Sequence, residues 1–253
     1  MTTRFSSGPT VHRYADAAAL YAAAAEAFGA QARSAIGAHG RFSVALAGGG
    51  TPRPLYEKLA GAPYRDSLDW SRVDVWFGDE RCVPPDSPRS NYRMVSESLL
   101  RHVPLPAGNV HRMRGEATPV DAALAYEQEL HAVFGDAAIP RLDLILLGVG
   151  GDGHTASLFP GTEALHERER LVCAQYVDVQ REWRLTLTFP LLNAAASLWV
   201  LAHGADKAQI LRRVFDGPPP PEALPIQRIT PADGRLEWWL DAAAAADLPP
   251  AAA

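Results

Sequence analysis

Asp152 and His154 stand two positions apart in a glycine-rich stretch, residues 142–161, LDLILLGVGGDGHTASLFPG. An imidazole exchanges protons near neutral pH, and a carboxylate beside it can fix its tautomer and stabilise its charged form. Spacing of two permits that contact only in a non-helical loop, because helical neighbours are three or four apart. The chemistry on offer is general-base activation of a positioned water. The structural alternative is that Asp152 merely caps the following helix. Three further short stretches carry suitable groups. Gly48-Gly49-Gly50-Thr51-Pro52 opens a helix with bare backbone N–H groups, a setting that accepts phosphate. It is neither the dinucleotide pattern nor the Walker pattern, and a steric role for its glycines is the alternative. Gly78-Asp79-Glu80-Arg81 sets two carboxylates and a guanidinium after an apolar run, or else makes a solvated turn with Arg81 paired to Asp79. In His203-Gly204-Ala205-Asp206-Lys207 the lysine falls in a helix's first turn, the wrong end for a cation unless it is simply solvated or meets an anion.

The elements around these loops read as alternating strands and helices. Residues 15–39 are alanine-rich with Leu20, Tyr21, Phe28 and Ile36 forming a stripe, so a long helix is expected. Residues 42–47 read as a strand, Thr51 as the N-cap of the next helix and Pro52 as its first residue. A second strand is expected at 73–77, a proline-rich loop with Pro84, Pro85 and Pro88, then a helix opened by Ser90-Asn91-Tyr92 and reaching about Leu100. After a loop-rich stretch, 102–118, a helix is expected over 119–134 with Asp121, Glu127 and Glu129 on its wet face. Strands are expected at 171–177, 184–189 and 197–202, with a short helix at 191–196 and a longer one carrying Ile210, Leu211 and Val214. Pro218 to Pro221 should be a stiff connection, 225–229 a last short strand, Trp238, Trp239 and Leu240 part of the core, and the alanine-rich C-terminus frayed. Leu142, Leu144, Ile145, Leu146 and Leu147 are apolar on both faces, the habit of a parallel sheet, whose ligands gather at the carboxyl ends of its strands. All four polar loops would then share one edge. The expected architecture is α/β: a single three-layer αβα domain over 1–253 with a mainly parallel, Rossmann-like sheet.

Composition narrows the function classes. A net charge of −5 and a pI near 5.9 give no general attraction to nucleic acid or to an acidic membrane. No stretch has the roughly 20 apolar residues of a membrane span, and the first residues lack a secretory signal's apolar core. Cys82 and Cys173 are the only cysteines, without metal-ligand spacing, which fits a reducing cytoplasm. No GxSxG elbow marks a serine hydrolase. His154 with Asp79 and Asp152 is a thin ligand set, so no metal is expected.

Taken in order, LAGGGTP, WFGDERCVPPDSPRSNY, LLGVGGDGHTASLFPG and GADKA resemble the signature segments of the bacterial-type 6-phosphogluconolactonase family, over residues of about 44–208. The resemblance implies a sugar-phosphate isomerase/deaminase-like fold, a cytoplasmic place in the pentose phosphate pathway, and hydrolysis of 6-phosphoglucono-1,5-lactone without a cofactor. By the same resemblance His154 is the base, Asp79 and Asp152 are active-site acids, and Arg81 and Lys207 hold the substrate phosphate, with Arg184 a further ligand contact. The related glucosamine-6-phosphate deaminases resemble this chain at DE, DGH and the lysine. Their loop, however, carries a glutamate where Phe159 stands here, and the deaminases tend to have a tyrosine in place of Arg81. A sugar-phosphate sensor without catalysis is the third reading. The expected partner is a small sugar phosphate, and a monomer is expected with a dimer as the alternative.

Overall fold

Runs that are apolar at every position become strands covered on both sides. The computed structural model describes residues 2–4, 9–135, 137–216 and 223–249. Its strands are β1 (Thr2–Arg4), β2 (Thr10–Tyr14), β3 (Phe42–Leu46), β4 (Val73–Phe77), β5 (Asp79–Arg81), β6 (Leu144–Leu147), β7 (Val172–Val177), β8 (Glu182–Leu187), β9 (Ser197–Ala202) and β10 (Arg235–Asp241). One sheet has the order β1-β2-β10-β9-β6-β3-β4, and every neighbouring pair in it is parallel except β1 with β2. Strands β5, β8 and β7 form a second, antiparallel sheet.

Alternation along each central strand sorts its side chains between two cores. Val44, Leu46, Val75, Phe77, Leu144, Leu146 and Trp199 face one side, where α1 (Ala17–His39), α2 (Arg53–Leu59), α3 (Tyr64–Ser67) and α4 (Asn91–Val95) pack. Ala45, Trp76, Ile145, Leu147, Leu198 and Val200 face the other, covered by α5 (Pro119–Phe134), α6 (Phe189–Ala194), α7 (Ala208–Phe215) and the inner side of the small sheet. Helix α1 starts where Asp16 accepts from the Ala19 N–H at 2.8 Å and stops at Gly40, which takes a left-handed φ of 89°. Burying Leu20 and Phe28 of its stripe contributes about 1.5–3 kcal/mol each.

Several expectations change. Thr51 does not cap α2: it lies in a turn, Pro52 is the N-cap, and the Pro52 carbonyl accepts from Leu55 and Tyr56 N–H at 3.0 and 3.2 Å. Residues 225–229 form no strand. With no N–H on Pro225, the segment Pro225–Arg228 is a 3₁₀ turn, and the last strand is β10, inserted between β9 and β2. Glu127 is not on a wet face, since it accepts the Leu171 and Val172 N–H groups at 2.7 and 3.0 Å and pairs with Arg170. The C-terminal residues 242–249 are held in turns, with Ala244, Ala245 and Leu248 buried, while 250–253 and the Pro218 to Pro221 run lie outside the described residues.

Glu129 stays on the wet face, its side chain 42% exposed, and from there it pairs with the buried His111. That buried histidine stacks on Trp76 with centroids 3.9 Å apart, meets Glu129 at 2.7 Å through Nδ1, and has Asp74 3.8 Å from Nε2. Burial alone would depress its pKa, but the two carboxylates push it up to about 9. A raised folded pKa stabilises fully below the unfolded value and is lost as pH rises through about 9. The contribution is about 2–3 kcal/mol, so the melting temperature should fall by about 5–10 °C more across pH 7 to 10 in the wild type than in His111→Gln. Equal slopes in thermal melts of the two proteins would rule this out.

Candidate active site

Strands β4, β3, β6 and β9 are consecutive in the sheet and parallel, so the four polar loops that follow them meet at one edge, as expected. The glycine loop after β3 is fastened at both ends by tyrosines. Tyr56 Oη donates to the Ala47 carbonyl at 2.8 Å and accepts its N–H at 3.0 Å, while Tyr21 Oη donates to the Thr51 carbonyl. Gly48 has no side chain for a steric reason: a Cβ there would come within 1.8 Å of Asn91 Oδ1.

The acidic stretch after β4 is not a solvated turn but strand β5, and Arg81 does not pair with Asp79. Its Nη1 instead donates to the Arg89 carbonyl at 2.5 Å. Glu80 is 3% exposed and accepts the N–H groups of Arg81, Asn91 and Tyr92 at 2.7–2.8 Å and the Ser90 hydroxyl at 3.0 Å. Burial raises its pKa against these donors, and its work is to anchor the start of α4. Asp79, also buried, accepts from Asn91 Nδ2 at 3.0 Å and from the Ser157 hydroxyl at 2.7 Å. Asn91 and Ser157 had no sequence signal beyond helix-opening and turn composition.

The loop after β6 holds the acid and the histidine together. Gly150 N–H donates to the His154 carbonyl and Gly153 N–H to the Gly150 carbonyl, both at 2.9 Å, which closes a tight turn. Those two N–H groups are therefore committed within the loop. Asp152 Oδ1 lies 2.5 Å from His154 Nδ1 and accepts the His154 N–H at 3.1 Å. Burial works against the Asp152 carboxylate, but the His154 N–H and imidazole hold its pKa below the usual range, so it is charged at neutral pH. The imidazole lies over Phe159, centroids 4.1 Å apart and 24° from parallel. A Cβ on Gly150 would meet His154 Nδ1 at 2.1 Å, so glycine is required beneath the pair. With Nδ1 committed to Asp152, Nε2 is the ring nitrogen left for a water.

Cations come from two directions. Lys207, at the N-terminus of α7, places Nζ 3.2 Å from the Val149 carbonyl and 3.6 Å from Asp206. Arg184 on β8 sits directly opposite Arg81 on β5. It is 6% exposed, and burial first, then Arg81, lowers its pKa to about 10, so it stays charged at neutral pH. Gly48, Gly49, Gly50, Thr51, Asp79, Arg81, His154, Arg184 and Lys207 all line one cavity of about 250 Å³, while Asp152 stands behind His154. That volume lies just below the roughly 300–1,000 Å³ of drug-sized sites, so it suits a small metabolite. Gln180, unsignalled in the sequence, lines it too. Among the described residues no three His, Cys, Asp or Glu side chains group as metal ligands, and no helix is long and apolar enough to cross a membrane. One cavity thus holds an oriented imidazole with a free nitrogen, three cationic side chains and a glycine-rich helix start.

Comparison with known proteins agrees over nearly the whole chain. Residues 15–238 match the sequence model of the family described as glucosamine-6-phosphate isomerases/6-phosphogluconolactonase. The chain is 42% identical over 242 residues to a 6-phosphogluconolactonase of Nostoc sp., covering 94% of this chain and 98% of that one. It is 44% identical over 219 residues to that of Synechocystis sp., covering 85% and 88%. Among solved structures, the 6-phosphogluconolactonase of Trypanosoma brucei superposes with a TM-score of 0.85 at 29% identity, covering 96% of this chain and all of the other. A monomeric glucosamine-6-phosphate deaminase, at 20% identity and a TM-score of 0.79, shares the fold.

Proposed function

The chain belongs to the glucosamine-6-phosphate isomerase/6-phosphogluconolactonase family, and we propose that within it the protein hydrolyses 6-phosphoglucono-1,5-lactone to 6-phosphogluconate, a step of the pentose phosphate pathway. The observation that carries this reading is the held imidazole: His154 Nδ1 sits on Asp152 at 2.5 Å, in the same cavity as Arg81, Arg184 and Lys207. A δ-lactone is an activated ester, and its hydrolysis needs a positioned water and a base. His154 Nε2 takes a proton as the water oxygen bonds to C1. Asp152 stabilises the resulting imidazolium, and the proton goes to the ring oxygen as the C1–O bond breaks. Asp79, fixed by Asn91 and Ser157, orders the cavity wall between these groups. Arg81, Arg184, Lys207 and the N–H groups of Gly48, Gly49, Gly50 and Thr51 receive the phosphate. All these groups come from one chain, so a monomer suffices. The two unpaired thiols, Cys82 and Cys173, suit a cytoplasmic setting.

The deaminase reading is less favoured because Phe159, at the position of the expected ring-opening glutamate, stacks on the imidazole. A sensor would have no use for the oriented base. Supplying the purified protein with 6-phosphoglucono-1,5-lactone and, in parallel, with glucosamine 6-phosphate separates the three. Acid release above spontaneous hydrolysis, with no ammonium, is expected. Ammonium release would favour the deaminase, and binding without either product a sensor.

A further inference from the structure

Arg81 and Arg184 face each other across the β5–β8 pair, an arrangement that by itself is repulsive. What offsets the repulsion lies outside the cavity lining. Glu182, two residues before Arg184 and 13% exposed in its side chain, directs Oε1 to the Arg184 guanidinium and Oε2 to that of Arg89. Arg89 is tied back to Arg81, whose Nη1 donates to its carbonyl at 2.5 Å. Gln180 Oε1 accepts from the same Arg184 nitrogen as Glu182, while Arg184 Nε is buried without an acceptor. The circuit therefore runs from Arg81 through the Arg89 backbone, the Arg89 guanidinium and Glu182 to Arg184.

We propose that Glu182 is a positioning residue for the phosphate, holding Arg184 in place by sharing its carboxylate with Arg89, a third guanidinium beside the site. This rests on the lactonase reading given above. Three guanidiniums and one carboxylate leave two positive charges, the complement of a phosphate monoester that carries about −1.5 to −2 at neutral pH. A carboxylate beside an anion site subtracts attraction, so its presence is useful only if geometry matters more. Arginine recognises phosphate through a planar fork, and a fork held along one edge loses little freedom when the ligand arrives. Outer carboxylates that orient inner ligands act in the same way in other sites.

Steady-state kinetics of wild type and Glu182→Gln on 6-phosphoglucono-1,5-lactone and on unphosphorylated glucono-1,5-lactone test the assignment. For the variant, KM for the phosphorylated lactone should rise about tenfold or more, with kcat within about threefold. The kcat/KM for the unphosphorylated lactone should be unchanged, inhibition by inorganic phosphate should weaken in proportion, and Glu182→Asp should fall between. An unchanged or lower KM, or equal losses on both lactones, overturns the role of Glu182. Failure of the wild type itself to prefer the phosphorylated lactone would instead overturn the underlying reading of the site. Should Glu182→Gln not fold, as judged by its circular-dichroism melt, Glu182→Asp, which keeps the charge and shortens its reach to Arg184, carries the same test. A raised KM for the phosphorylated lactone alone supports the proposal, and an unchanged one ends it.

Discussion

His154→Ala is expected to lower kcat for lactone hydrolysis by about 10²–10⁴, the usual worth of a positioned general base. The size follows from how firmly the ring is set. Its Nδ1 lies 2.5 Å from Asp152, its backbone N–H bonds the same carboxylate at 3.1 Å, and Phe159 lies along its face. Little reorganisation is then needed when the ring becomes charged. Because the cations proposed to receive the phosphate come from β5, β8 and the start of α7, removing the imidazole should leave affinity for the product within about threefold. Turnover near the wild-type rate, measured above the spontaneous background, would remove His154 from the mechanism. Asp152→Asn should give a smaller loss of the same kind, since an amide can bond the ring but cannot stabilise its positive charge.

The second large effect concerns the other end of the substrate. The unphosphorylated lactone offers the same ester but nothing for Arg81, Arg184 and Lys207 to hold. Charge-assisted hydrogen bonds to a phosphate contribute about 1.5–3 kcal/mol each, and part of three such bonds is spent on desolvating the ions. A net difference near 4 kcal/mol is reasonable, so kcat/KM should be about 10³-fold lower without the phosphate. The contrast should shrink as salt is raised to the extent that the part-exposed Arg81 and Lys207 contribute, since Arg184 is buried. Equal kcat/KM for the two lactones would show that these cations serve something else.

Much of this was legible in the residues themselves. The runs that became β3, β4, β6 and β9 are apolar throughout, which pointed to a parallel sheet, and a parallel sheet places every strand-to-helix loop at one edge. That rule alone brings Gly48, Asp79, His154 and Lys207 together. What escaped the sequence depends on contacts between distant segments. Glu80 reads as one more surface acid, and only the fold shows three backbone N–H groups of β5 and α4 pointing at it. Glu127 and Glu129 look solvated by helical periodicity, yet each meets a partner supplied by another loop. Strand β2 is short and polar enough to pass for a terminal tail, and it becomes a strand because β10 offers it a paired edge. Thr51 has the right residue type for a cap, but the turn before α2 runs directly into the helix at Pro52, leaving Thr51 at the cavity.

One hexose phosphate is expected to span the cavity from the cationic cluster to the imidazole. A crystal structure of the protein with bound 6-phosphogluconate tests it most directly. The phosphate is expected on Arg184, Lys207 and the glycine loop, with the carboxyl carbon within hydrogen-bond reach, through one water, of His154 Nε2. A product bound with its phosphate away from Arg184 and Lys207, or with its carboxyl end remote from His154, would contradict it.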